Sequence, residues 1–162
     1  MKEDVLMNGV QQITAVHDIA LITFNKAPAK LDFIAHIFTA FSAGHINIDM
    51  ISQTPPQGEF VNLSFTVEDK DLASALSIIT KIREDYPSIK PMVSSGNCKI
   101  SLFGEEMREQ YGVAAAAIAA VAKANTEILV ITTSEIDISF LFTEANYHDA
   151  LIALEEEFQV KE

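Results

Sequence analysis

Histidine, cysteine and arginine are the side chains in this sequence that most often bind metals, attack substrates or hold phosphate groups. Their full set is His17, His36, His45, His148, Cys98, Arg83 and Arg108. The histidines show no metal-ligand spacing with one another or with the cysteine, so we predict no metal site and no cofactor. A single cysteine also excludes an internal disulfide and any site built from cysteines alone. We expect Cys98 to be a buried bystander.

Other polar residues recur in two segments that resemble each other. The segment Gly44–Thr54 alternates polar and apolar residues as a strand does, with Asn47 and Asp49 on its polar side. The segment Asn125–Glu135 repeats it further along the chain, because Ile128, Ile131 and Thr132 correspond to Ile48, Ile51 and Ser52. A repeated segment of this kind predicts two copies of one structural unit.

The elements that must position these residues follow the same order in both copies. The patterns predict strands at 10–16, 20–24, 46–53, 60–67 and 90–94, with helices at 32–43 and from 71 to about 85. His17 and Asp18 suit a turn between the first two strands, and Asp32 suits the N-cap of the first helix. The second copy continues with strands at 99–103, 127–132 and 136–142 and helices at about 112–124 and 146–157.

The strand count predicts that one copy is inserted within the other. The second copy has no clear closing strand, because only residues 158–162 follow its last helix, whereas 10–16 is a spare strand. We therefore predict one unit at 18–95 and another formed by 10–17 with 96–160. Each unit would be an α+β split β-α-β fold, with an antiparallel sheet and both helices on one face. Their unpaired sheet edges favour a homodimer.

Composition limits the possible partners. The chain has 162 residues, a net charge of −12 and only 11 basic residues, so we expect no nucleic-acid binding. Its longest apolar runs are too short to cross a bilayer, and its start lacks the order of a signal peptide. We expect a cytoplasmic protein that does not enter a membrane.

Four segments together resemble the paired ACT domains that form the regulatory half of aspartokinases. They are His45–Gln53, Asn62–Val67, Gly112–Ala115 and Ile131–Ser139. The resemblance implies two ferredoxin-like βαββαβ ACT units, the first inserted in the second. It also implies feedback regulation by an aspartate-pathway end product such as lysine or threonine. The lysine- and glycine-rich motif of the family's kinase domain is missing, so this chain looks like a regulatory part only, with an aspartokinase catalytic chain as a possible partner.

The resemblance also implies which residues hold the amino acid, since the family grips its ligand with the loop entering the first helix and with the following strand. In the first unit these positions are Ala29, Lys30, Leu31, Asp32, Phe33, Ile34, Asn47, Asp49 and Gln53. In the second unit they are Arg108, Tyr111, Gly112, Val113, Ala114, Glu127, Ile128, Thr133, Ser134 and Glu135. The family's usual Pro-Gly is replaced by Leu31-Asp32 in the first unit and by Tyr111-Gly112 in the second. Asp32 would repel a ligand carboxylate, and Glu127 replaces an expected asparagine.

Two other functions are left open. The chain is alternatively a structural dimerisation module that has lost ligand binding, because Leu31-Asp32 departs from the family pattern. A more distant alternative is an acylphosphatase-like hydrolase, which shares the split β-α-β layout and needs an arginine in a phosphate-holding loop with an asparagine nearby. Arg108 lies in a candidate loop, but a glycine-rich cradle is missing.

Overall fold

The computed structural model describes residues 8–162, which form six strands and four α-helices. The elements are β1 (Gln12–Pro28), α1 (Leu31–Ala43), β2 (Asp49–Gln53), β3 (Phe60–Glu68), α2 (Leu72–Asp85), β4 (Pro91–Phe103), α3 (Val113–Lys123), β5 (Val130–Thr133), β6 (Asp137–Thr143) and α4 (Glu144–Phe158). Short 3-10 helices, Asp69–Asp71 and Glu105–Glu109, precede α2 and α3. The strands are antiparallel and the repeats are ferredoxin-like, so the predicted α+β fold class is confirmed.

The chain divides into two compact units. The inserted unit is Asp18–Asn97, and the host unit consists of residues 8–17 together with Cys98–Glu162. The sequence analysis placed these units at 18–95 and at 10–17 with 96–160. β1 and β4 are long strands that each contribute residues to both units.

Alternating apolar residues build the core of the inserted unit, where the strand order is β2-β3-β1-β4. β1 and β3 are antiparallel, with Ile22 opposite Phe65 and Phe24 opposite Leu63. Phe65 is fully buried and its ring packs edge-on against Phe41 from α1, with 5.5 Å between ring centres. Both α1 and α2 add side chains to this same core. The alternating apolar residues of the strands and the regularly spaced apolar residues of the helices are therefore buried against one another.

The host unit has a second core, and its strand order is β1-β4-β6-β5. β6 supplies an almost continuous buried run, from Ile138 to Phe142, and pairs antiparallel with β5. The alanine-rich helix α3 packs beside α4, where Ala117 and Ala150 are both fully buried. Small side chains let these helices approach closely, so this core needs fewer aromatic residues than the other.

Three local predictions are wrong. His17 and Asp18 do not form a turn, because β1 continues through them with Asp18 in a left-handed conformation (φ 58°). The predicted strands 90–94 and 99–103 likewise form the single strand β4, in which Gly96 is left-handed (φ 69°). One left-handed residue bends a strand without ending its pairing, and aspartate tolerates that conformation better than most residues.

The third wrong prediction concerns the start of α1. Lys30, not Asp32, occupies the N-cap, and its side chain makes no capping hydrogen bond. Asp32 lies in the first turn, where its negative charge is favourable near the positive end of the helix. Within residues 8–162, no helix is both long enough and apolar enough to cross a bilayer.

Candidate functional site

A cavity of about 670 Å³ opens in the host unit where α3 begins. Its lining comes from the 3-10 helix before α3, the first residues of α3, and the hairpin between β5 and β6. The lining residues are Met107, Arg108, Glu109, Gln110, Tyr111, Gly112, Val113, Ala114, Thr133, Ser134, Glu135 and Ile138. The cavity therefore combines a helix start, a strand end and a turn.

Gly112 shapes the helix start. It is the N-cap of α3 with φ 84°, a left-handed conformation that side chains make costly. A Cβ at this position would meet no atom within 4 Å, so the space beside it is open. The Ala116 N–H donates to the Gly112 carbonyl at 2.9 Å. The earlier N–H groups of the first turn have no intrahelical acceptor and are therefore available to an anion.

The hairpin between β5 and β6 is held by its own hydrogen bonds. The Ser134 N–H donates to the Asp137 carbonyl at 2.8 Å. The Ser134 hydroxyl accepts from the Ile136 N–H at 3.2 Å. Thr133, the last residue of β5, lies opposite the buried Ile138 of β6. These bonds fix the edge of the cavity that faces away from the helix start.

The charged side chains around the cavity have both signs. Arg108 is exposed and can reach a carboxylate, while Glu109 and Glu135 are exposed and can reach an ammonium group. A free amino acid carries both groups on one carbon atom. The cavity thus offers backbone N–H donors and a guanidinium to the carboxylate, and two carboxylates to the ammonium.

Eight of the predicted positions in the second unit line this cavity. They are Arg108, Tyr111, Gly112, Val113, Ala114, Thr133, Ser134 and Glu135. The other two lie elsewhere: Glu127 is exposed before β5, and Ile128 packs against the core. Sequence reasoning missed Met107, Glu109, Gln110 and Ile138. The first three are neighbours of Arg108 in the chain, and Ile138 is identifiable only from its cross-strand pairing.

The predicted positions in the first unit are not gathered in the same way. The inserted unit has a cavity of about 290 Å³, and its lining includes none of these positions. Phe33 and Ile34 are buried in the core, where the Phe33 ring packs edge-on against Tyr86. Their N–H groups both donate to the Lys30 carbonyl. Lys30, Asp32, Asn47, Asp49 and Gln53 are all exposed.

A separate cluster in the host unit brings together ligand types suited to a metal ion. His17, Cys98 and Glu144 each present one ligand atom, and these atoms lie within 4.8 Å of one another. Spacing along the sequence gave no signal for the cluster, because its members come from β1, β4 and the start of α4. Only strand pairing brings them together.

Comparison with known proteins identifies the family. A sequence model described as the ACT domain matches residues 29–81 and 100–158. The chain belongs to the ACT domain family. The two matched stretches correspond to the two units, so both contain ACT sequence.

The relatives of these ACT units are aspartokinases. The aspartokinase of Bacillus sp. (strain MGA3) is 27% identical over 162 residues, which cover 99% of this chain but 38% of the relative. The regulatory subunit of aspartate kinase from Thermus thermophilus superposes with a TM-score of 0.84 at 26% identity, covering 93% of this chain and 99% of that one. A chain of the aspartokinase alpha and beta subunit structure gives a TM-score of 0.81 at 29% identity, with the same shares covered.

These comparisons identify the part of an aspartokinase to which the chain corresponds. It spans well under half of the curated aspartokinase but nearly all of the separate regulatory subunit. The chain is therefore a regulatory ACT module of aspartokinase type, and the kinase domain has no counterpart in this sequence.

Proposed function

We propose that this ACT module binds a free amino acid, lysine or threonine, and transmits feedback inhibition to an aspartokinase. The observation that carries the proposal is the cavity at the start of α3. There the first-turn backbone of Val113 and Ala114 and the side chains of Arg108 and Glu135 surround one space. These groups complement the carboxylate and the ammonium of an amino acid.

Regulation requires that the ligand bind two states of the protein with different affinities. The cavity is lined by the start of α3 and by the hairpin between β5 and β6. A ligand that contacts both would stabilise one position of the helix start relative to the hairpin. A coupling of 1–3 kcal/mol, typical of allosteric proteins, corresponds to about 5- to 150-fold in the partner's affinity or in its active fraction. That range is sufficient for end-product inhibition.

We further propose that the module acts in the cytoplasm as a homodimer and associates with an aspartokinase catalytic chain. β2 and β5 are the edge strands, and each leaves backbone groups available for pairing with a second ACT unit. The match to an aspartokinase structure described by alpha and beta subunits supports a catalytic partner. Light scattering and co-purification with a catalytic chain would test both associations.

The host-unit site is proposed as the working one. In the inserted unit Asp32 puts a carboxylate in the first turn of α1, where a ligand carboxylate would have to approach. Like charges at such a distance repel one another. The two units share an ancestry but differ in the groups that they present at the helix start.

Thermal unfolding of the purified chain with each of the twenty amino acids tests the proposal. Ligand at about 100 times its dissociation constant adds about 2.7 kcal/mol to the free energy of unfolding. For a chain of this size, that shifts Tm by roughly 5–10 °C. We expect a shift with lysine or threonine and none with their D-enantiomers.

If no amino acid shifts Tm, the sensing function fails for this chain. A dimer that persists without any ligand effect would then favour the structural dimerisation module. The hydrolase alternative has less support, because the cavity contains Arg108 but no asparagine among its lining residues. An acyl phosphate assay would test it directly.

A further inference from the structure

His17, Cys98 and Glu144 form a compact triangle of ligand atoms in the host unit. The Cys98 sulfur lies 3.1 Å from His17 Nδ1. The Cys98 thiol donates to Glu144 Oε2 at 2.9 Å. His17 Nδ1 and Glu144 Oε2 are 3.8 Å apart. All three atoms therefore lie within hydrogen-bonding or ion-pairing distance of one another.

The size of this triangle fits a tetrahedral zinc ion. Zinc binds sulfur at about 2.3 Å and nitrogen or oxygen at about 2.0–2.2 Å, so tetrahedral ligand atoms lie about 3.3–3.7 Å apart. The observed separations are 3.1, 2.9 and 3.8 Å. Changes of about 0.4–0.7 Å in these separations, within the reach of side-chain rotation, would convert the hydrogen-bonded cluster into a chelate.

The same three residue types also occur in nucleophilic cysteine sites, but this geometry does not fit one. In such a site a third group orients the base through its other ring nitrogen. Here Glu144 approaches both the thiol and the same nitrogen that faces the thiol.

Neighbouring structure keeps the ligand atoms in place. His17 and Cys98 belong to the strands β1 and β4, and Glu144 is the first residue of α4. The His17 ring packs edge-on against the Tyr147 ring, with 4.6 Å between centres. The side chains of His17 and Glu144 are 46% and 68% exposed, so an ion and a water molecule can approach between them.

We propose that His17, Cys98 and Glu144 bind a divalent transition-metal ion, Zn²⁺ by the chemistry of the donors. Zinc binds cysteine sulfur, histidine nitrogen and carboxylate oxygen, whereas Mg²⁺ and Ca²⁺ prefer oxygen ligands alone. Three protein ligands leave a fourth position for water or for a group from a partner.

The position of the site along the chain gives the metal a structural consequence. The chain leaves the host unit after His17 and returns to it at Cys98. A metal bound to both residues ties together the two ends of the inserted segment. Closing a loop of this length restricts the unfolded chain, so the bound metal stabilises the folded host unit.

Cobalt substitution is the sharpest test. The purified chain is freed of metal with EDTA, kept reduced with a phosphine, and titrated with Co²⁺. We expect one equivalent to produce a thiolate-to-cobalt charge-transfer band and visible bands of tetrahedral intensity, and Zn²⁺ to displace both. Absence of the charge-transfer band at saturating Co²⁺ would overturn the proposal and leave a hydrogen-bonded cluster only.

Variants separate the site from chance binding elsewhere. Cys98→Ser should abolish the charge-transfer band, but this residue is buried, so circular dichroism must confirm folding. His17→Gln and Glu144→Gln change exposed side chains. Loss of a group that only supports a metal ligand weakens binding by up to about 100-fold, so loss of a ligand itself should weaken Zn²⁺ binding by at least that factor. His148→Gln, an exposed histidine on α4, is the matched control and should leave binding unchanged. Equal affinity in all the variants would contradict the site.

Discussion

Replacing Gly112 by aspartate should weaken amino-acid binding strongly while lowering the stability of the fold only slightly. The residue has φ 84° and open space where a Cβ would lie, so the substitution meets no clash. The left-handed conformation costs a side chain about 1–2 kcal/mol, with aspartate near the lower end because it tolerates that region. A loss of about 1 kcal/mol lowers Tm by about 2–4 °C in a chain of this size.

The effect of Gly112→Asp on binding should be much larger than its effect on folding. The new carboxylate lies in the cavity near the anion-binding start of α3, where two like charges 4 Å apart repel by about 4 kcal/mol at an effective dielectric of about 20. Solvent in an open cavity reduces this, so we expect amino-acid affinity to fall by about 10- to 100-fold, which is 1.4–2.7 kcal/mol. Isothermal calorimetry with the ligand identified by thermal shift measures the change.

Two further variants isolate the cause. Gly112→Asn has the same shape without the charge, so it should keep most of the affinity that Gly112→Asp loses. Gly58→Asp is the matched control for strain, because Gly58 also has a positive φ (63°) with open space around it, but it lies in the inserted unit. It should lower Tm by a similar amount and leave the affinity unchanged. If Gly112→Asp binds the amino acid as tightly as the original chain, the assignment of this cavity is refuted.

Three other substitutions test the packing and hydrogen bonding within the two units. Gly104→Ala should destabilise the host unit far more than Gly112→Ala, since its Cβ would overlap the Gly9 carbonyl oxygen; comparing the two Tm values checks this. Phe65→Ala should lower the free energy of unfolding, measured in urea, by about 3–5 kcal/mol because the ring is fully buried. Phe60→Ala is the control, since Phe60 is 40% exposed, and an equally small effect at Phe65 would contradict the core assignment. Ser134→Ala should cost about 0.5–1.5 kcal/mol by removing the acceptor for the Ile136 N–H, and an unchanged Tm would show that the hairpin does not need this bond.

The sequence predicts the fold where the pattern is periodic. The alternating residues of β3 and the apolar spacing of α1 identify these elements within a residue of their observed bounds. Prediction fails where a single residue decides between a turn and a bend, as at Asp18 and Gly96, because continued strand pairing overrides the local preference for a turn. Such pairing depends on the whole sheet, so it cannot be predicted from a few consecutive residues.

The residues of the candidate site can be predicted where they are neighbours in the sequence, but not where strand pairing brings distant residues together. Arg108, Gly112 and Ser134 are found through their position relative to a helix start or a strand end. Ile138 lines the cavity because it pairs with Thr133. The cluster of His17, Cys98 and Glu144 likewise consists of residues that are remote in sequence. Contacts of that kind depend on strand register, which a resemblance to a family supplies only in outline.

The contrast between the two helix starts explains why duplicated units need not carry duplicate sites. At both helices the fourth residue donates to the N-cap carbonyl, Ile34 to Lys30 in α1 and Ala116 to Gly112 in α3, but α1 also has the negative charge of Asp32 in its first turn. At α3 the left-handed Gly112 leaves the approach open, and the side chains that follow it are small or turned into the core. An anion that approaches the start of α3 therefore meets no side-chain carboxylate in the first turn, whereas at α1 it meets Asp32, and this difference is why we propose the amino-acid site in the host unit.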